Sequence, residues 1–268
     1  MDNRPIGIFD SGLGGLTCVK EITKLMPSED IIYFGDTGRV PYGTRSREII
    51  VKYVRQDINF LKTFDIKSII IACGTASSAA LPMIEKDYSE EITGVVYPAA
   101  LSAYEATKSG RIGVIGTEGS IRSGKYRQQL LEFNPELEIF EKACPMFVPL
   151  VENGYADTEA AELIARDYLK KMKEEKIDTL ILGCTHYPLL TRTIEKILGD
   201  KVTLIDSGAA AAGYTKEKLE ELDMTAEKKQ GRVQYFVSDI TESFARQGGM
   251  FLNREITEAV KRIDIENY

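Results

Sequence analysis

Short apolar runs recur along this chain, and helical periodicity fills most of the gaps between them. The runs cover 6–9, 31–34, 68–72, 94–97, 112–115, 137–140, 179–182, 202–205 and 233–237. An unbroken apolar run of this length reads as a strand buried on both faces, the habit of parallel sheets covered by helices. Between the first two runs, Leu16, Val19, Ile22 and Leu25 or Met26 fall on one helix face, and Pro27 stops the pattern. Ile49, Ile50, Val54, Ile58, Leu61 and Phe64 mark a second, longer helix. The alternation predicts an α/β protein with doubly wound parallel sheets.

A weak internal repeat divides the pattern in two. Ile-Gly-Ile-Phe-Asp-Ser-Gly (6–12) aligns with Ile-Gly-Val-Ile-Gly-Thr-Glu-Gly (112–119), and each segment enters a helix. Each copy is followed, at a similar separation, by an apolar run ending in cysteine. The first reads Ser-Ile-Ile-Ile-Ala-Cys-Gly-Thr-Ala-Ser (68–77) and the second Thr-Leu-Ile-Leu-Gly-Cys-Thr-His-Tyr-Pro (179–188). Two similar doubly wound domains are therefore expected, with a cleft between them. Residues 1–98 with a returning segment 207–268 would form one, and 99–206 the other. A length of 268 residues suits this division.

Composition narrows the function classes. The net charge of −7 argues against nucleic acid or an anionic membrane surface as partner. No apolar stretch approaches the ~20 residues of a membrane span. Asp2, Asn3 and Arg4 lead almost at once into a strand, so no secretion signal is expected. The four cysteines form no C-x-x-C pair and no disulfide pattern, which indicates reduced thiols in the cytoplasm. With one histidine and no zinc-type ligand spacing, no metal site is expected.

The last residue of a buried parallel strand points into the crevice beyond the sheet. Cys73 and Cys184 hold that place in the two halves, each before a helix start, where a lowered thiol pKa is expected. Cys18, inside a helix, and Cys144, before Pro145, are assigned to packing. Two thiols facing one small molecule suit the movement of a proton off one face of a carbon and onto the other. His186, two residues after Cys184, is either a satisfied structural histidine or an acid/base partner. Asp10 is either a helix cap or a charged group in the crevice. Ser11-Gly-Leu-Gly-Gly (11–15) fits neither a dinucleotide loop nor a P-loop but leaves free backbone N–H groups for a small carboxylate. The loop around Tyr42 and Gly43 is either a binding loop or solvent-facing. Glu152, taken alone, reads as a surface acid.

Together these residues resemble glutamate racemase. The resemblance runs in order through 7–15 (Gly-Ile-Phe-Asp-Ser-Gly-Leu-Gly-Gly), 33–37 (Tyr-Phe-Gly-Asp-Thr), 41–43 (Pro-Tyr-Gly), 72–77 (Ala-Cys-Gly-Thr-Ala-Ser), 148–154 (Val-Pro-Leu-Val-Glu-Asn-Gly) and 183–188 (Gly-Cys-Thr-His-Tyr-Pro). It implies a cytoplasmic, cofactor-independent isomerase that makes D-glutamate for peptidoglycan, usually as a homodimer. It also implies that Cys73 takes the α-proton of D-glutamate and Cys184 that of L-glutamate. Asp10 would assist Cys73, while His186 and Glu152 assist Cys184. Substrate contacts would fall at Asp10, Ser11, Tyr42, Gly43, Gly74, Thr75, Thr117, Thr185 and His186. The family usually carries asparagine at the position of Gly74. Restoring it is expected to add an amide hydrogen bond and lower KM a few-fold.

Three other readings compete. A racemase of aspartate or another amino acid would keep both thiols, but such enzymes tend to carry an acidic residue in place of His186. A Cys–His hydrolase would use Cys184 and His186 and leave Cys73 without a task. A non-catalytic interaction protein would leave both thiols surplus.

Overall fold

Parallel pairing follows from the buried runs. The computed structural model describes residues 1–227 and 229–268, and every strand pair among them is parallel. The strands are β1 (Ile6–Asp10), β2 (Ile31–Gly35), β3 (Ser68–Ile71), β4 (Glu91–Gly94), β5 (Arg111–Gly116), β6 (Glu138–Ala143), β7 (Thr179–Leu182), β8 (Thr203–Asp206), β9 (Val233–Val237) and β10 (Val260–Arg262). A first sheet has the order β10-β9-β2-β1-β3-β4 and a second the order β6-β5-β7-β8. The segment β2-β1-β3-β4 and the whole second sheet share one topology, as the internal repeat requires.

Side chains of the central strands alternate between two packed faces, with period two. Phe9, Ile69 and Ile71 join the helix Arg47–Lys62 through Val54, Ile58 and Leu61. Ile6, Ile8 and Ile70 face the helix Leu16–Leu25, and that core continues through Ile115, Leu180 and Leu182 of the second sheet. Burying one such isoleucine contributes about 1.5–3 kcal/mol. The helix Leu16–Leu25 ends before Pro27, as the pattern indicated. Ser46 starts Arg47–Lys62, its side chain accepting from the Ile49 N–H.

The expected strand at 94–97 is displaced. β4 ends at Gly94, and Val96–Ala106 is a helix. Pro98 lies in its first turn, where a missing N–H costs no intrahelical bond. β6 begins one residue late and runs to Ala143, and β10 was not anticipated because Val-Lys-Arg carries one apolar residue. Both are edge strands, where burial imposes the least pattern. Among the described residues, no helix is long and apolar enough to cross a membrane.

In each sheet the chain reverses its winding beside one strand. β2 and β3 flank β1, and β6 and β7 flank β5. Such switch points open a crevice at the carboxyl ends of the strands. Asp10 and Cys73 lie at the first crevice, Thr117 and Cys184 at the second.

Candidate active site

Cys73 follows β3 and caps the helix Gly74–Ala79, its sulfur accepting from the Ala76 N–H at 3.5 Å. Ser11 Oγ lies 3.5 Å from the same sulfur. Burial pushes the Cys73 thiol up to about 12, and the charge of Asp10 adds to the effect. The contacts with Ser11 and Ala76 offset only part of it. The expectation of a lowered thiol pKa at this helix start is therefore corrected: desolvation outweighs the N–H group. Asp10 is buried, accepts from the Gly12 N–H at 2.9 Å, and receives the Thr185 hydroxyl at 3.4 Å. Burial raises its carboxyl above the usual range, opposed by the charge of His186.

Cys184 sits differently. Its sulfur is 3.9 Å from His186 Nδ1, and His186 Nε2 is 3.0 Å from Glu152 Oε1. Burial disfavours the imidazolium, but the contacts with Cys184 and Glu152 outweigh it and raise His186 to about 10. The edge-to-face ring of Phe251, 5.2 Å away between centroids, packs on the imidazole. Glu152 ends the short helix Phe147–Glu152 with its side chain 40% exposed. It is thus a surface acid that also orients the histidine.

Both thiols open onto one cavity of about 320 Å³. Ser11, Tyr42, Gly43, Gly74, Thr75 and Thr117 line it, as do Glu152, Thr185 and His186. Asp10 lies beneath this surface rather than on it. Thr75 and Thr117 bring their hydroxyls within 2.8 Å of each other across the two halves. Tyr42 presents its ring and backbone, because its hydroxyl is taken by Asp36 and Asp57. Sequence reasoning missed the apolar rim of Val40, Pro41, Pro145, Val148 and Pro149. Most of these lie in or beside the quoted motifs, but prolines and valines carry no chemical signal of a site. A second cavity, about 350 Å³, lies beside Ser77, Thr93 and Tyr97 and contains neither thiol.

Glycines line the seam between the halves. A Cβ on Gly14 would overlap the Thr185 hydroxyl and lie 2.6 Å from His186 Nδ1. A Cβ on Gly74 would collide with the Gly183 carbonyl oxygen. Cys18 and Cys144 are buried in the core, and burial raises both thiols far above their ordinary value. Among the described residues, no group of three His, Cys, Asp or Glu side chains is placed to hold a metal ion.

Two similar parallel sheets with paired crevice thiols define an amino-acid racemase class, and the Asp/Glu/hydantoin racemase family model matches residues 16–215. The chain belongs to that family. Its full-length relatives narrow the placement to the glutamate racemases. The glutamate racemase of Geobacter metallireducens is 48% identical over 266 residues, covering 98% of this chain and 97% of the relative. The crystal structure of a glutamate racemase isoform from Bacillus anthracis superposes with a TM-score of 0.95 at 38% identity, covering 98% of both chains. That of the Francisella tularensis enzyme in complex with D-glutamate gives 0.92 at 37%, covering both chains fully.

Proposed function

We propose that this chain interconverts L- and D-glutamate by two-thiol proton transfer without a cofactor. The observation that carries the reading is the presence of Cys73 and Cys184 on one cavity, each from its own switch point. Cys184, beside the imidazolium of His186, removes the α-proton of L-glutamate. Cys73, held as a thiol by burial, gives its proton to the opposite face of the carbanion. The product is D-glutamate, with the two sulfurs' protonation exchanged, and the reverse reaction starts from that state. The hydroxyls of Ser11, Thr75, Thr117 and Thr185 supply neutral donors for the substrate carboxylates. These donors are neutral, so stabilisation of the carbanion falls to desolvation, fixed dipoles and the His186 imidazolium that lines the same cavity.

The same reading makes the enzyme a cytoplasmic homodimer supplying D-glutamate to peptidoglycan. It divides the chain into a domain of 1–98 with 207–268 and a domain of 99–206. Sheet membership supports that division, since β5–β8 alone build the second sheet. Proton NMR in D₂O, started from pure L- or pure D-glutamate, tests the chemistry. Both should exchange the α-proton and reach the racemate without pyridoxal phosphate or metal. Inversion of aspartate in place of glutamate would move the substrate assignment. A trapped thioester without α-exchange would replace it with Cys–His hydrolysis.

A further inference from the structure

One wall of the cavity rests on a buried charge cluster that the proposed chemistry does not use. The wall is the segment Val40 to Thr44, which follows β2. Beneath it, Arg39 donates to Asp36 Oδ2 at 2.6 Å, to Asp57 Oδ1 at 2.9 Å and to Gln56 Oε1 at 2.6 Å. It also reaches Glu266 Oε1 at 3.3 Å and lies over the Tyr53 ring, 4.1 Å from its centroid, and Glu266 is shared with Lys52 at 3.7 Å. The side chains of Asp36 and Asp57 have no exposed surface, while that of Glu266 is 56% exposed. Ser238 Oγ donates to the other oxygen of Asp36 at 2.8 Å.

The Tyr42 hydroxyl reaches both buried carboxyls. It makes a short bond to Asp36 Oδ2 and stands 3.1 Å from Asp57 Oδ2. A phenol has a single proton. Given to Asp36, that proton leaves lone pairs facing lone pairs at Asp57, unless Asp57 carries one of its own. The charge balance points the same way, because Lys52 partners half-exposed Glu266 and one guanidinium is left to face two fully buried carboxyls. We propose that Asp57 is a positioning residue of the racemase site: as a neutral carboxylic acid it donates to Tyr42 and so fixes the Tyr42–Gly43 wall. Burial and the neighbouring charge of Asp36 push its carboxyl well above the usual range, outweighing the charge of Arg39 and the contact with the Tyr42 hydroxyl, which oppose it, while Asp10 adds to the rise.

The wall in turn meets the second half of the molecule. Gly43 fits against Thr117, with 3.2 Å from an added Cβ to the Thr117 Cβ, and its carbonyl would meet a Cβ on Gly119 at 2.9 Å. A wall that shifts therefore changes the mouth of the cavity and the hydroxyl of Thr117 together. The expected signature is a KM that rises in the wild type as Asp57 ionises, while the pH dependence of kcat, set by Cys184 and His186, is the same with and without an ionisable residue at position 57.

Three variants and one spectrum test this. Asp57→Asn keeps both bonds, its amide donating to Tyr42 and its oxygen accepting from Arg39, but it does not titrate. It should hold a near-neutral KM and lose that rise with pH. Asp57→Ala and Tyr42→Phe should each raise KM about 3- to 10-fold at neutral pH, the equivalent of one hydrogen bond. The infrared difference spectrum of wild type minus Asp57→Asn at neutral pH should show the C=O stretch of a buried protonated carboxyl. Absence of that band overturns the neutral carboxyl, whatever the kinetics of the alanine variant. A KM in Asp57→Asn as poor as in Tyr42→Phe overturns the positioning role. The kinetic arm rests on the racemase reading and the infrared arm does not, so failure of one is distinguishable from failure of the other.

Discussion

At the scale of single residues, the two proposed bases differ in setting. Cys73 is walled in with Asp10 and Ser11, and Cys184 shares a chain of contacts with His186 and Glu152. Cys73→Ala and Cys184→Ala should each reduce racemisation by about 10²–10⁴-fold or more, the range for loss of a general acid or base. Cys18→Ala should leave the rate nearly unchanged, and optical rotation of glutamate reads both outcomes. His186 is the only histidine, so its ring signals can be followed without assignment. Its titration midpoint should lie near 10 and fall when Glu152→Gln removes one anionic partner. Because the folded value is raised above 6.5, the stabilisation from charged His186 is fully present below pH 6.5. It is lost as the pH rises through about 10. A midpoint near 6.5 in the folded enzyme would refute the coupling to Cys184 and Glu152. The thiol pair was legible because each cysteine closes an apolar run. Asp57 was not: it reads as one more polar residue on an amphipathic helix, and its burial depends on a loop from elsewhere in the chain.

At the scale of elements, the strand ends do the positioning. β1 and β3 finish side by side, with Phe9 opposite Ile71, and this register brings Asp10 and Cys73 together. The turn after β1 then passes beneath the His186 loop with no room for a side chain at Gly14. Gly14→Ala should displace Thr185 and His186, since the imidazole is already held by Glu152 and Phe251. The expected result is a fall in kcat with the far-UV circular dichroism of the native fold. Wild-type turnover in Gly14→Ala would show that the turn has slack the structure does not. Central strands and their helices were readable because burial on both faces writes a continuous apolar signal. The segment after Gly94 misled for the same reason, since Val95, Val96 and Tyr97 are apolar whichever way the backbone turns. Pro98 in a first turn was the cue that decides for helix.

At the scale of the whole molecule, the cavity exists only where the two sheets bring their carboxyl ends together, and Gly74 marks the point where that approach is backbone against backbone. The sequence alone suggested that asparagine there would add a hydrogen bond and tighten glutamate binding. The structure reverses the expectation, because a Cβ would strike the Gly183 carbonyl oxygen, and backbone cannot rotate aside as a side chain can. Gly74→Asn must therefore part the loops bearing Cys73 and Cys184, and both the thiol spacing and the Thr75–Thr117 contact at 2.8 Å would loosen. The outer face of each sheet has a core of its own, on Phe9 and Ile71 in the first and on Ile112 and Ile181 in the second, and neither includes Gly74, so the variant should fold. Its loss should appear in ligand-dependent stability. A ligand at 100 times its Kd stabilises the native state by about 2.7 kcal/mol, and each tenfold loss of affinity removes about 1.4 kcal/mol of that. Thermal unfolding with and without D-glutamate should show a smaller ligand-induced rise in Tm for Gly74→Asn than for wild type, along with lower kcat. Tighter binding at wild-type turnover would mean that the two halves part at no cost and that the original expectation was right.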